Sequence, residues 1–141
     1  MKDSTSKLLD QLKNKNISLE DYLLKNADSF IVYDIKEFWD GVITKSRKTK
    51  SDVINRSEIS YSYFYDIING RKTPTFDMVI RLSLAMHLTL DETNEALRFS
   101  GKRLLTPRIK RDAVIIKSIV GKETVSGCNN ALKSFGEETL K

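Results

Sequence analysis

Apolar residues in this chain recur every three or four positions, the spacing that turns one face of an α-helix toward a core. The clearest stripe is Ile35, Phe38, Trp39, Val42 and Ile43, in a helix that Asp34 caps and that runs to about Ser46. Ahead of it, Leu8, Leu9 and Leu12 mark a short helix within residues 6–13, broken by Asn14-Lys15-Asn16. Ser18-Leu19-Glu20-Asp21 has the form of a capped start. It predicts a second short helix to about Asn26, with Tyr22, Leu23 and Leu24 turned inward. Neither piece is long enough to persist alone in water. Residues 1–30 therefore read as an N-terminal helical arm that packs on the rest of the chain or on a partner.

Downstream, the run DVINRSEISYSYFYDIINGRKTP spans Asp52 to Pro74. Thr49 or a neighbour caps a short helix carrying Val53 and Ile54. A tight turn, Ser57-Glu58-Ile59, follows, and Ser60 opens another helix with Phe64 and Ile67 buried and Gly70 as its stop. After Pro74, Thr75 caps FDMVIRLSLAM, whose apolar face is Met78, Val79, Leu82, Ala85 and Met86. Thr89-Leu90-Asp91-Glu92 has the spacing of a capping box and starts a helix through Phe99 that Gly101 ends. Pro107 marks a connection. Two further helices run from about Lys110 to Val120 and from Thr124 to Gly136. The pattern is all-α, and with 141 residues it suits one domain with appendages.

Residues 76–105 and 111–140 align without gaps at an offset of 35, with ten of thirty positions identical. Two readings fit: true structural repetition of an α-hairpin, or convergence on the same capping residues. In both, residues 106–141 form a C-terminal α-hairpin packed beside the preceding helices.

Composition changes the picture little. Hydrophobic residues make up 40% and charged residues 30%, an ordinary globular balance. The net charge of +5 concentrates in residues 31–75, at +2, and in residues 106–141, at +3. Such a balance is compatible with nucleic acid. The single cysteine, Cys128, excludes an internal disulfide framework, and by default it is a small buried apolar side chain. No signal peptide or membrane span is read, so a cytoplasmic location is expected. One His and one Cys cannot supply the usual nucleophile–base or metal sets. The chain reads as no enzyme, with no cofactor and no metal. His87 reads as a cap or surface residue and Trp39 as core, while Arg108, Lys110 and Arg111 read as solvating a helix start, with Arg111 pairing locally to Asp112.

The segment from about Ile35 to Leu97 resembles the phage-repressor-type helix-turn-helix family, also called Cro-like or XRE. The resemblance rests on Val53-Ile54 in the first reader helix, Ile59-Ser60 at the turn exit, Phe64 and Ile67 as a buried pair, and Gly70 before Arg71-Lys72-Thr73-Pro74. LSLAMHLTLDE looks like the family's fourth and fifth helices, and the two ends look like a subgroup with extra N- and C-terminal helices. The resemblance implies a five-helix core in residues 31–105 and a DNA-binding transcriptional regulator. Its recognition helix, residues 60–69, would lie in the major groove of double-stranded DNA, in a homodimer reading two half-sites. It places Tyr61, Ser62, Tyr65, Asp66 and Asn69 toward base edges. It places Arg47, Lys48, Lys50, Ser60, Arg71 and Lys72 toward phosphates. Two positions depart from the family pattern. Glu58 stands where a small residue, often glycine, is usual. Arg and Gln, the commonest bidentate base readers, are missing from the base-facing set. The alternative is a protein-interaction module on the same scaffold, which the Tyr-rich, acid-bearing helix favours.

Overall fold

The computed structural model describes residues 4–30 and 34–141, so the first three residues of the expected arm and the start of the expected 31–105 domain lie outside the described residues. Every element among the described residues is helical, and none is a strand. No helix among them is long and apolar enough to cross a membrane. The chain divides into two compact units, one ending at Asp34 and one running from Ile35 to Lys141. The C-terminal hairpin thus belongs to the same unit as the helices before it.

The first unit holds α1 (Thr5–Lys13), α2 (Leu19–Lys25) and a 3-10 turn, Ala27–Ser29. Ser4 and Ser18 cap the two helices through their hydroxyl oxygens. Asn26 ties them together by donating to the Gln11 side chain at 2.8 Å. Tyr22 is buried and meets Phe30 edge-on. The expected inward turn of Leu23 and Leu24 does not occur: both are exposed, as are Leu9, Leu12 and Leu19. On a helix of seven residues the inward-facing stripe is about two residues wide, and Tyr22 takes it.

The second unit contains α3 (Ile35–Ser46), α4 (Lys50–Ser57), α5 (Tyr61–Ile68), α6 (Phe76–Ala85), α7 (Leu90–Phe99), α8 (Lys110–Val120) and α9 (Val125–Ser134). Its core gathers Trp39, Phe64, Ile67, Val79, Leu82, Leu97, Ile115 and Leu132, all essentially inaccessible. Burying each such side chain favours folding by roughly 1.5–3 kcal/mol. Thr49, Ser60, Thr75, Thr89 and Thr124 each accept a backbone N–H three residues on, and Glu92 completes the capping box at Thr89. Helix α4 packs on α6, α3 on α5, and Phe38 of α3 stacks on Phe99 of α7 at 3.9 Å.

The repetition is structural. His87 and Lys122, 35 apart, both take left-handed φ and close their helices with the same pair of backbone bonds. Ser83 and Ser118 both donate to the carbonyl four residues back. Asn94 and Asn129 both accept a backbone N–H eleven residues on, from Leu105 and Leu140. Bonds of such matched geometry go beyond shared caps.

The two hairpins are fastened reciprocally. Asp112, fully buried, receives Arg103 through two bonds and the Thr106 N–H at 3.0 Å. Its counterpart Asp77 receives Arg111 through two bonds of 3.0 Å and the Lys141 N–H at 3.0 Å. Each tail is thus tied to the first helix of the other hairpin. This corrects the expected local Arg111–Asp112 pair: side chains on neighbouring helical positions do not face each other. The reading of Arg108, Lys110 and Arg111 as solvation is corrected for two of the three, since Lys110 also donates to the Phe135 carbonyl at 2.7 Å.

Candidate nucleic-acid interface

Helices α4 and α5 are joined by Glu58, Ile59 and Ser60. Glu58 takes the left-handed conformation, φ 57° and ψ 30°, and ends α4 without a glycine. Its side chain is exposed and has no partner among the described residues. The turn is secured instead by Ile59, which is buried, and by Ser57, whose hydroxyl donates to Ile54. From the neighbouring helix Arg81 donates to the Ser57 carbonyl at 3.2 Å and to the Leu140 carbonyl at 2.7 Å, so one guanidinium joins the turn to the C-terminal tail.

Helix α5 follows with Phe64, Ile67 and Ile68 buried. The opposite face carries Tyr61, 67% exposed, together with Ser62 and Asn69, both exposed. Tyr65 is half-buried, its ring 4.6 Å from that of Tyr61. Tyr63 points elsewhere and lies under the Lys72 ammonium at 5.2 Å. Ser60 is spent on capping: its hydroxyl oxygen accepts the Tyr63 N–H at 3.2 Å.

Asp66 is not a free acceptor. Arg71 binds one carboxylate oxygen at 2.8 Å, and the Lys72 ammonium stands 3.5 Å from the other. The Arg71 hydrogen bond, helped by Lys72, holds this carboxyl below the ordinary aspartate range. The Asp66 carbonyl also accepts the backbone N–H groups of Arg71 and Lys72, so the loop after α5 is folded back on its own helix.

The remaining cations divide. Lys50 stands 3.5 Å from Asp40, which Lys36 also holds at 3.0 Å. Arg47, exposed and in the left-handed region at φ 61°, has no ionic partner among the described residues. Lys48 belongs to a group that spacing along the chain did not reveal. With Arg56 and Lys122 it surrounds His87, whose imidazole is held below its ordinary pKa first by burial and then by these three charges. Lys122 donates to the His87 carbonyl at 2.7 Å. His87 is therefore a half-buried helix terminator rather than a surface side chain.

Cys128 is buried and its thiol is pushed up by burial. No cluster of three or more His, Cys, Asp or Glu among the described residues is placed to hold a metal ion. Comparison with family models, with curated proteins and with solved structures gives no match to this chain.

Proposed function

We propose that this chain is a DNA-binding transcriptional regulator, with α3 to α7 as a helix-turn-helix core of the phage-repressor kind and α5 as the recognition helix. The observation that carries this reading is the outer face of α5. Tyr61, Ser62 and Asn69 stand in solvent beside Tyr65, on a helix whose other side is locked into the core by Phe64 and Ile67. Tyr and Ser hydroxyls and the Asn amide can bond base edges or phosphates, and a Tyr ring can meet a thymine methyl. The first backbone N–H groups of α5 favour a phosphate. Arg47 and Lys48, without ionic partners among the described residues, supply charge ahead of α4. Binding as a homodimer would set two such helices roughly 34 Å apart.

The experiment is selection of bound duplexes from a random pool at moderate salt, followed by titration of the winner across salt concentrations. A preferred sequence should emerge, with affinity falling steeply as salt rises. Arg47→Ala and Lys48→Ala should weaken every duplex, and Tyr61→Ala should alter preference. Equal, weak binding to all duplexes rejects the reading.

One observation favours a second reading, a protein-interaction module. Asp66 pairs with both Arg71 and Lys72, the two cations nearest the end of α5, and offsets one of their two charges, and the Tyr61–Tyr65 pair forms an aromatic patch that Tyr61 carries into solvent. A stable protein complex lost on Tyr61→Ala and Tyr65→Ala, with no duplex selected, would establish that reading.

A further inference from the structure

The internal repeat supplies its own comparison of what each hairpin face does. Positions facing the seam between hairpins are buried in both copies: Ile80 and Ile115, Leu84 and Ile119, Leu97 and Leu132. The outer faces differ. In the first hairpin Val79, Leu82, Met86 and Ala96 are buried, and α4 packs on α6. Their counterparts 35 residues on are Val114, Lys117, Gly121 and Ala131, none of them buried. Between α8 and α9 these residues line an open, mostly apolar groove of about 680 Å³, with Phe135 standing 60% exposed at its edge. The hairpin scaffold thus has one helix-receiving face filled and the equivalent face empty. Small residues at 113, 121 and 131 leave room for a helix to approach closely, Glu123 lies over Gly127, and Lys110 and Lys117 set two cations on the rim.

The same chain carries a segment short of cover. Leu9, Leu12, Leu19, Leu23 and Leu24 of α1 and α2 are exposed, and Glu20 and Asp21 lie beside Leu19 and Leu23. Amphipathic helices with uncovered leucines seek an apolar groove. The arm is neutral as a whole, but Glu20 and Asp21 gather its acids at the start of α2, where they complement the lysines of the groove. We propose that the groove between α8 and α9 is a helix-docking site and that its occupant is the N-terminal arm of a second copy of this chain. Exchanging two arms for two grooves closes a two-fold dimer in which both grooves are filled. The groove itself, with two lysines against the single acid Glu123, carries a net positive charge that disfavours pairing with its own kind. Dimerisation by this route is independent of DNA and stands or falls apart from the reading of α5.

Sedimentation equilibrium on the full chain, without DNA, tests it. The unmodified chain should dimerise. Lys117→Glu alone should weaken the dimer by about tenfold or more, and so should the arm variant Glu20→Lys with Asp21→Lys. Mixing the two variants should restore a dimer, because each repulsive arm then meets an acidic groove while the unmodified arm meets the unmodified groove. All three positions are exposed, and circular dichroism checks that the two reversed charges in the first turn of α2 have not unwound it. A monomeric chain, a dimer indifferent to both variants, or weakening without recovery in the mixture overturns the proposal. So does cross-linking of the arm to its own chain's groove in a monomer.

Discussion

Asp66 acts as an internal counter-ion for Arg71 and Lys72, and that single carboxylate governs how much charge the end of α5 offers a polyanion. Asp66→Asn should release both cations. If α5 lies on DNA, affinity should rise and the salt dependence should steepen by about one to two charges' worth of released counterions. Fluorescence anisotropy across a salt series measures this, and unchanged slopes would place the pair away from phosphate. Glu58 poses a different residue-level question. A non-glycine in the left-handed region costs about 1 kcal/mol, and no side-chain contact of Glu58 offsets it among the described residues. Glu58→Gly should therefore raise the unfolding free energy, and with it the urea midpoint, by up to about 1 kcal/mol less what a more flexible unfolded chain takes back. A lower midpoint would mean that the carboxylate contributes to the turn in solution.

At the level of elements, the helices and their stops were readable because they are written locally. Thr49, Ser60, Thr75, Thr89 and Thr124 cap helices from within three residues, and Gly101 and Gly136 supply positive φ just past helix ends. The fastening of the hairpins was not readable. Arg111 reaches Asp77 across 34 residues, and nothing local tells that it passes over its neighbour Asp112. Nor does local pattern reveal which leucines of a short amphipathic helix find cover, so Leu23 and Leu24 were expected inward and are exposed. Within the candidate site, the outer residues of α5 follow from helical period alone. The capture of Asp66 by Arg71 and Lys72 depends on a loop folding back, and the gathering of Lys48, Arg56 and Lys122 at His87 depends on α8 lying nearby. The clasp has an energetic signature at this scale. Arg103→Ala would leave the buried Asp112 carboxylate with one backbone N–H and no cation bonded to it, Arg111 acting only at longer range, a loss of about 3 kcal/mol. Urea unfolding checks it, and a loss below about 1 kcal/mol would show that water replaces the guanidinium.

For the whole molecule, the matching half of the clasp sets an acid limit. Burial works to raise the Asp77 pKa, but Arg111 and the Lys141 N–H outweigh it and hold the carboxyl below its ordinary value. A group depressed on folding contributes stability that is fully present above its unfolded pKa, about 4, and is lost as pH falls through the lower folded value. Stability should therefore decline below about pH 4, and Asp77→Asn should flatten that decline while lowering stability at neutral pH. Urea midpoints measured from pH 2 to 7, in steps of about one, compare the two. Parallel curves would assign the acid sensitivity to other carboxylates.

The clasp uses the connection only as far as Thr106, so the peptide just beyond it carries none of the fastening. Arg108 sits there in solvent, open to a protease specific for basic residues. Scission there would sever the chain yet leave Arg103 on Asp112, Arg111 on Asp77 and Arg81 on the Leu140 carbonyl, so the two fragments should travel together until denaturant parts them.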